Sequence, residues 1–501
     1  MNYYQDIFSA ITFIAEATIP FLLRILVTFY SIKHFGIIKG GVLTYLIIKA
    51  YIIIMTKIFK VEKVTGIDKI FLSTDPHSRS EIISLLSFSN FDAQKVYDFI
   101  IDTHINKLHR FHLKLKKIFF EYWWTQVDVS EAKSKIKIGQ RMKDEKELMS
   151  HVQKELNIPL DVIHELPYEF QVIPIGDEKD KKGYLLFKFD HLLTDGLGLV
   201  STICSCASNY DINAFPSIMR NMKEDTWYET IYFWIVYPYY ALYYSIFFLI
   251  QRPRPSPFKP TASQLGKTLI AKSTKEYSLK DFEAFRKEKG ISFNDLMVLA
   301  LSLASSRVMK SFDEYKERSI MRFLIPHGRK ELPKDSDHLE LDNKANGLFV
   351  EIPIIDTVND SNISKIKKGI RKNFKKPIQF TYLQSLYFLG EYFSWPIQSF
   401  FTQILSNNYE IVFSNVPGPT IKLDYNGNIC ESMISFPTSG RGFAFLPLVS
   451  YNGKFQMSLS MDESCKVKPD FFIKCLEDEL DKIHSDIKSG KYHINNEKKE
   501  E

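Results

Sequence analysis

The sequence predicts an α+β protein (α/β two-layer) built in two halves, with hydrophobic helices N-terminal to both. Three observations carry this. Strand-like and helix-like segments are mixed along the chain from Gly66 onward. Four prolines lie among the nine residues 252–260, a composition that forms an extended connector and not a packed element. Two apolar segments, residues 7–32 and 40–56, precede all of this. With 501 residues, 45% of them apolar, the chain can bury two cores of ordinary domain size.

Taken in order, residues 7–32 are interrupted by Glu16 and Arg24, and residues 40–56 by Lys49. No basic stretch precedes them and no small-residue cleavage site closes them, so a membrane hairpin or a pair of interfacial helices fits better than a signal peptide. A pair of buried core helices is the bland alternative. Residues 92–117 carry apolar positions at helical spacing, Val96, Phe99, Ile100, His104 and Leu108, and residues 119–124 form an aromatic strand. Residues 183–191 alternate clearly: Leu185, Phe187, Phe189 and His191 share one face, while Leu186, Lys188 and Asp190 share the other. This places His191 at the end of an apolar face and turns Asp190 away from it.

Residues 230–250 contain no charge but carry many tyrosines and Pro238 at mid-length. Three placements fit: a span, an in-plane aromatic helix, or the lipid-facing wall of a soluble domain. Past the proline-rich connector, Ser278 with Asp281 and Ser292 with Asp295 are cap signatures for two helices, the first stopped by Gly290. Residues 321–325, 347–354 and 409–416 read as strands. Residues 447–460 read as a hairpin turning on Asn452-Gly453. Pro469 opens an amphipathic helix through Phe472, Leu476, Leu480 and Ile483 that Gly490 ends. The domain plan is therefore 1–62 hydrophobic membrane-associated helices, 63–250 a first subdomain, 251–262 the linker, 263–490 a second subdomain and 491–501 a disordered tail.

Several functions are disfavoured by composition and motif content. The formal charge of +6 is small and spread along the chain, which does not point to nucleic acid but suits an anionic cofactor or an anionic lipid surface. The five cysteines lack C-x-x-C spacing, so reduced thiols are the simplest reading, with neither a disulfide framework nor a zinc site. The sequence has no G-x-x-x-x-G-K-[ST], no G-x-S-x-G and no H-E-x-x-H. What remains is His191-x-x-x-Asp195-Gly196, an imidazole at a strand end followed by a carboxylate at a turn. A neutral histidine there can take a proton from an alcohol. Asp195 would then fix the ring indirectly or hold the loop by pairing with an arginine, and Gly196 would let the backbone turn. The competing reading makes His191 a core histidine and Asp195 the N-cap of a helix through Leu199, Val200 and Ile203.

A second set of segments, in matching order, joins this one. Asn294-Asp295 lies in Ser-Phe-Asn-Asp-Leu-Met, Asn343 in Leu-Asp-Asn-Lys, and Asn415 in Ser-Asn-Val-Pro-Gly-Pro. Together they resemble the wax ester synthase/diacylglycerol acyltransferase family over roughly residues 66–485. That family's His-His-x-x-x-Asp-Gly signature maps its second histidine, the proposed base, to His191, and its Asp and Gly to Asp195 and Gly196. Its first histidine is Asp190 here. Asp342 stands where the family has Gly beside Asn343, and Leu166-Pro-Tyr-Glu169 departs from its Pro-Leu-Trp element.

The resemblance implies two chloramphenicol-acetyltransferase-like subdomains with the active-site channel between them. It implies acyl-CoA as co-substrate and no permanently bound cofactor or metal. The acceptor would be diacylglycerol or a long-chain alcohol, and a membrane lipid surface would be a further partner. The implied roles are a base at His191 supported by Asp195 and Gly196, with Asn294, Asp295 and Asn415 as oxyanion or structural support. The implied location is the endoplasmic reticulum membrane with the catalytic domain facing the cytosol, or else the lipid droplet or plasma membrane. A non-catalytic lipid-binding protein of the same fold and an acyltransferase for another alcohol are the alternatives. A shared site also forbids residues 230–250 from crossing the bilayer once, since that would part His191 from Asn415.

Overall fold

The computed structural model describes residues 2–72, 79–119, 121–216, 225–251, 256–262, 265–314, 319–328, 332–339, 341–393, 398 and 408–489. The centre of the proline-rich connector, residues 252–255, lies outside them, as do Gly490 and the expected tail 491–501.

The first half supplies β1 (Val61–Lys63), β2 (Glu81–Ser89), β3 (Leu113–Ile118), β4 (Glu121–Gln126), β5 (Ile136–Ile138), β6 (Tyr168–Ile175) and β7 (Lys182–Asp190). The second half supplies β8 (Thr268–Lys272), β9 (Tyr277–Ser278), β10 (Ile320–Gly328), β11 (Ala345–Pro353) and β12 (Ile411–Pro417). It continues with β13 (Asp424–Tyr425), β14 (Asn428–Pro437), β15 (Ala444–Tyr451) and β16 (Lys454–Asp462). One sheet runs β13-β14-β2-β7-β6-β5, a second runs β11-β10-β12-β15-β16-β8 with β9 also on β16, and a small sheet runs β1-β4-β3. The first sheet therefore takes two strands from the second half, with Ile434 opposite Leu85 and Phe436 opposite Ile83.

Alternation explains how both faces of the first sheet are covered. Leu86, Phe170, Phe187 and Phe189 lie in one core with Val96 and Phe99 of helix Ala93–Ile100 and Leu199 and Ile203 of helix Gly196–Ser205. Ile83, Leu85, Ile173 and Leu186 lie in another, against Leu148, Val152 and Leu156 of helix Glu145–Leu156. The second sheet packs Phe323, Val350, Ile411, Phe413 and Leu446 against helices Phe293–Ser311 and Pro469–Lys488. Cutting one such phenylalanine to alanine costs about 3–5 kcal/mol.

Local signals in the second half were faithful. Ser292 and Asp295 form the reciprocal capping box, Gly290 ends helix Glu283–Lys289 in the left-handed region, and Asn452 and Gly453 take φ of 50° and 72° between β15 and β16. Ser278 accepts from Lys280 N, but it caps a 3₁₀ turn, Leu279–Phe282, ahead of that helix.

Several expectations need correction. Residues 92–117 are not one helix: helix Ala93–Ile100 passes through a π turn, Ile101–Ile105, and a 3₁₀ turn, His109–His112, into β3. Phe119 does not belong to the aromatic strand. It sits at φ 49° in the turn between β3 and β4. The two N-terminal segments, by contrast, keep the expected hairpin: Asn2–Phe59 is two helices meeting at a kink at Gly36, where φ is 75° and ψ is 169°. The chain folds back there, so that Arg24 and Tyr51 both reach Glu121 and a Cβ on Gly40 would stand 2.6 Å from Ile32 N. Glycine meets that conformation without a Cβ clash, so the break falls there.

Within it, Leu22–Phe59 is long and apolar enough to cross a membrane and is mostly exposed. Arg24, an odd residue for such a helix, pairs with Glu121 and donates to Glu391 O at 2.8 Å. Residues 230–250 fall in a single helix, Trp227–Ile250, with Pro238 inside it. Its Phe233, Tyr244 and Phe248 pack on Phe380, Tyr382 and Phe349 of the second half.

Candidate active site

Strand β7 ends at Asp190, so His191 opens the turn after the strand instead of closing its apolar face. Its backbone N–H donates to Ser80 O at 3.0 Å, and Phe71 stacks on its ring at 3.8 Å between centroids and 11° between planes. His191 Nδ1 lies 3.2 Å from Asn343 Oδ1, and Asn343 Nδ2 donates to His191 O at 2.9 Å. An amide oxygen only accepts, so this contact puts the ring proton on Nδ1 and leaves Nε2 as the basic nitrogen. The sequence marked Asn343 only through its loose match to a Gly-Asn element. The structure makes it the residue of the second half that grips the candidate base.

Asp190 is buried and does not simply point away. Its Oδ1 accepts from Leu192 N at 2.8 Å and its Oδ2 from Ser80 Oγ at 3.0 Å, while its own N–H donates to Pro167 O at 2.9 Å. It thus fixes the turn that carries His191, and Leu166-Pro-Tyr-Glu169 supplies one of the anchors.

Asp195 takes the N-cap role: Oδ1 accepts from Gly198 N at 2.8 Å, opening helix Gly196–Ser205. Its Oδ2 accepts from Lys344 N, also at 2.8 Å, so the same buried carboxylate reaches the residue next to Asn343. A Cβ on Gly196 would stand 3.3 Å from Val416 of β12, so this turn runs directly along the second half.

Asn294 and Asn415 meet each other: Asn415 Nδ2 donates to Asn294 Oδ1 at 2.6 Å. That contact commits the Asn294 oxygen as an acceptor and leaves its Nδ2 as the donor end. No hydrogen bond joins this pair to His191 or Asn343 among the described residues. Asp295 is spent on the capping box with Ser292.

Sequence reasoning missed Asp68 and Phe71, one helical turn of four residues. Asp68 Oδ1 accepts from Asn343 Nδ2 at 2.8 Å, and its Oδ2 pairs with Arg110 at 2.8 Å. The turn is seated by a backbone contact that tolerates no side chain. A Cβ on Gly390, in helix Lys376–Tyr392, would fall 1.8 Å from Gly66 O. Gly66 and Gly390 were the available signals, but nothing in the sequence relates two glycines so far apart.

Away from this seam, a basic groove of about 850 Å³ is lined by Lys289, Lys367, Lys368, Arg371, Lys372 and Lys375, together with Glu288 and Asp360. The five cysteines are buried as free thiols, and burial pushes Cys206 and Cys430 up to about 12.

Residues 341–484 match the family model of the WS/DGAT C-terminal domain. The chain resembles the wax ester synthase/diacylglycerol acyltransferases. The matched stretch includes Asn343 and Asn415. No curated protein sequence matches the chain.

Among solved structures, the wax ester synthase/diacylglycerol acyltransferase of Marinobacter aquaeolei VT8 superposes with a TM-score of 0.58 at 16% identity, covering 86% of this chain and 100% of that one. A trichothecene 15-O-acetyltransferase from Fusarium sporotrichioides gives 0.60 at 13% identity, covering 85% and 94%. The first condensation domain of the calcium-dependent antibiotic synthetase gives 0.56 at 9% identity, covering 85% and 96%. At these identities the likeness is one of fold, and the fold is the expected pair of chloramphenicol-acetyltransferase-like subdomains behind an apolar N-terminal helix.

Proposed function

We propose that this protein is a membrane-associated O-acyltransferase that moves a fatty acyl group from coenzyme A to diacylglycerol or a long-chain alcohol, with His191 as its base. The observation that carries the reading is the His191–Asn343 contact across the two halves, which leaves Nε2 basic. In the proposed reaction, Nε2 takes the hydroxyl proton as the alcohol oxygen attacks the thioester carbonyl. The tetrahedral oxyanion then collapses, the carbon–sulfur bond breaks, and the leaving thiolate recovers the proton from His191. Products are the ester and free coenzyme A. Base catalysis of this kind contributes about 10²–10⁴ in rate, and a donor to the oxyanion contributes a comparable factor. Asn294 Nδ2, oriented by Asn415, is our candidate for that donor.

Helix Trp227–Ile250 lies against the second half instead of separating it from the first, and the first sheet borrows strands from the second half. Both features support a single site on one side of a membrane, fed with apolar substrates from the bilayer. The endoplasmic reticulum, with its acyl-CoA and diacylglycerol, is the proposed location.

The test is acyl transfer by membranes carrying the wild-type chain or His191→Ala, supplied with labelled long-chain acyl-CoA and either diacylglycerol or a fatty alcohol. The wild type is expected to form ester with one acceptor and the variant to lose at least about a hundredfold. A folded wild-type chain that forms no ester with either acceptor would instead mark a lipid-binding protein of this fold.

A further inference from the structure

Asn343, which grips His191, is itself gripped. Its Nδ2 donates both to His191 O at 2.9 Å and to Asp68 Oδ1 at 2.8 Å, while its Oδ1 faces His191 Nδ1 at 3.2 Å. A carbonyl and a carboxylate can only accept, so these two oxygens decide which end of the amide is nitrogen. Turning the amide over would set its oxygen against both of them.

Asp68 is fully buried, and an isolated carboxylate there would carry a large desolvation cost. Arg110 removes it. Its Nη2 donates to Asp68 Oδ2 at 2.8 Å and to Leu192 O, one residue past His191, at 3.0 Å. The guanidinium is itself seated over the Trp124 ring at 4.1 Å. The same helical turn that carries Asp68 carries Phe71 three residues later, and Phe71 stacks on the imidazole.

We infer that Asp68, held by Arg110, is a positioning residue: it orients the Asn343 amide so that oxygen faces His191 Nδ1, and so keeps the ring in the tautomer whose Nε2 is basic. Because Arg110 balances the Asp68 charge, the device works by orientation and not by a net field on the ring. The kinetic consequence rests on His191 being the base, whereas the tautomer does not.

Asp68→Asn is the informative change because it keeps the shape. The charged Arg110 retains the new side chain's oxygen, and its NH₂ then faces Asn343 Nδ2, donor against donor. The Asn343 amide then loses one of its two acceptors and meets a donor in its place, with only His191 O still favouring the wild-type orientation. Each amide that turns presents a donor to His191 Nδ1 and moves the ring proton to Nε2.

The experiment is ¹⁵N NMR of the full chain in detergent micelles with labelled histidine. The His191 signals among the 12 histidines are assigned by their loss in His191→Gln. The wild type should show Nδ1 protonated and Nε2 bare, and Asp68→Asn should show the reverse or a mixture. Arg110→Lys, which leaves the carboxylate charged, should lower the melting temperature and leave the tautomer as in the wild type. In acyl transfer, Asp68→Asn should lose about 10–100-fold in kcat with KM changed less than about twofold.

A wild-type ring protonated on Nε2 overturns the inference whether or not any variant folds, and so does an Asp68→Asn variant whose ring stays in the wild-type tautomer. A wild type that transfers no acyl group defeats the functional reading alone, since the tautomer is read without substrate.

Discussion

His104 shows what a single buried side chain does to the molecule's response to acid. It lies in the π turn, fully buried, with Nδ1 2.8 Å from Thr103 Oγ1 and the edges of Phe111 and Phe170 about the ring. Burial disfavours the charged ring and pulls its pKa from 6.5 down to about 3. The folded chain therefore keeps His104 neutral where the unfolded chain protonates it. Its contribution to stability is complete above pH 6.5 and is lost as pH falls toward about 3, by up to ~1.4 kcal/mol for each pH unit. Denaturant unfolding at pH 6.5 and pH 5 should differ by about 2 kcal/mol less in His104→Gln than in the wild type, and an equal difference would refute the assignment. At this scale the sequence was legible where one residue acts on its near neighbours. Asp195 as an N-cap and Ser292 with Asp295 as a capping box needed only the spacing. Asp68 was illegible because its partners, Arg110 and Asn343, lie 42 and 275 residues away.

Helix Trp227–Ile250 divides its residues between two stripes. Phe233, Tyr240, Tyr244 and Phe248 face the second half, where they meet Ile378, Phe380 and Tyr382. Ile231, Ile235, Tyr239, Leu242 and Ile246 follow one another at intervals of three or four and are exposed. An exposed apolar stripe five residues long is unsuited to water, and the membrane association we propose would cover it by in-plane contact with a bilayer. Trp227 and Trp234 are exposed along this helix, whereas Trp123 and Trp124 are buried. In vesicles made with brominated acyl chains the full chain's tryptophan fluorescence should be quenched, and Trp234→Phe should remove a large part of the quenching. Unchanged quenching in the variant would put this face in water. Element identity was legible here because twenty-one uncharged residues admit little else, but which stripe faces protein was not, as both stripes are apolar. The stretch 92–117 failed for a different reason. Val96, Phe99, Ile100 and His104 keep helical spacing through the π turn, and that rhythm hides the point where helix gives way to strand.

The two halves are separable in sequence and joined in structure. Strand β14 belongs to the second half, yet Cys430 and Met433 enter one core of the first sheet, and Ile434 and Phe436 enter the other. Residues 1–251 expressed alone therefore leave β2 as an open, apolar edge and should be insoluble, whereas the same fragment co-expressed with residues 256–501 should be recovered as a soluble pair after detergent extraction. Solubility of the first fragment by itself would show that β14 is dispensable. The division at the proline-rich connector was legible from composition. The placement of β13 and β14 in the first sheet was not, because residues that alternate correctly for a sheet do not say which sheet.

The pairing of β2 with β14 also sets a schedule. Phe436 lies opposite Ile83, so the ribosome must add some 350 residues after one before the other exists. At ordinary elongation rates of about 5–20 residues per second, that interval is on the order of tens of seconds. Throughout it, β7 and the turn bearing His191 rest beside a strand whose other edge has nothing to bind. A nascent chain in this condition needs a companion, and under the proposed membrane association the bilayer would offer one from the first seconds of synthesis.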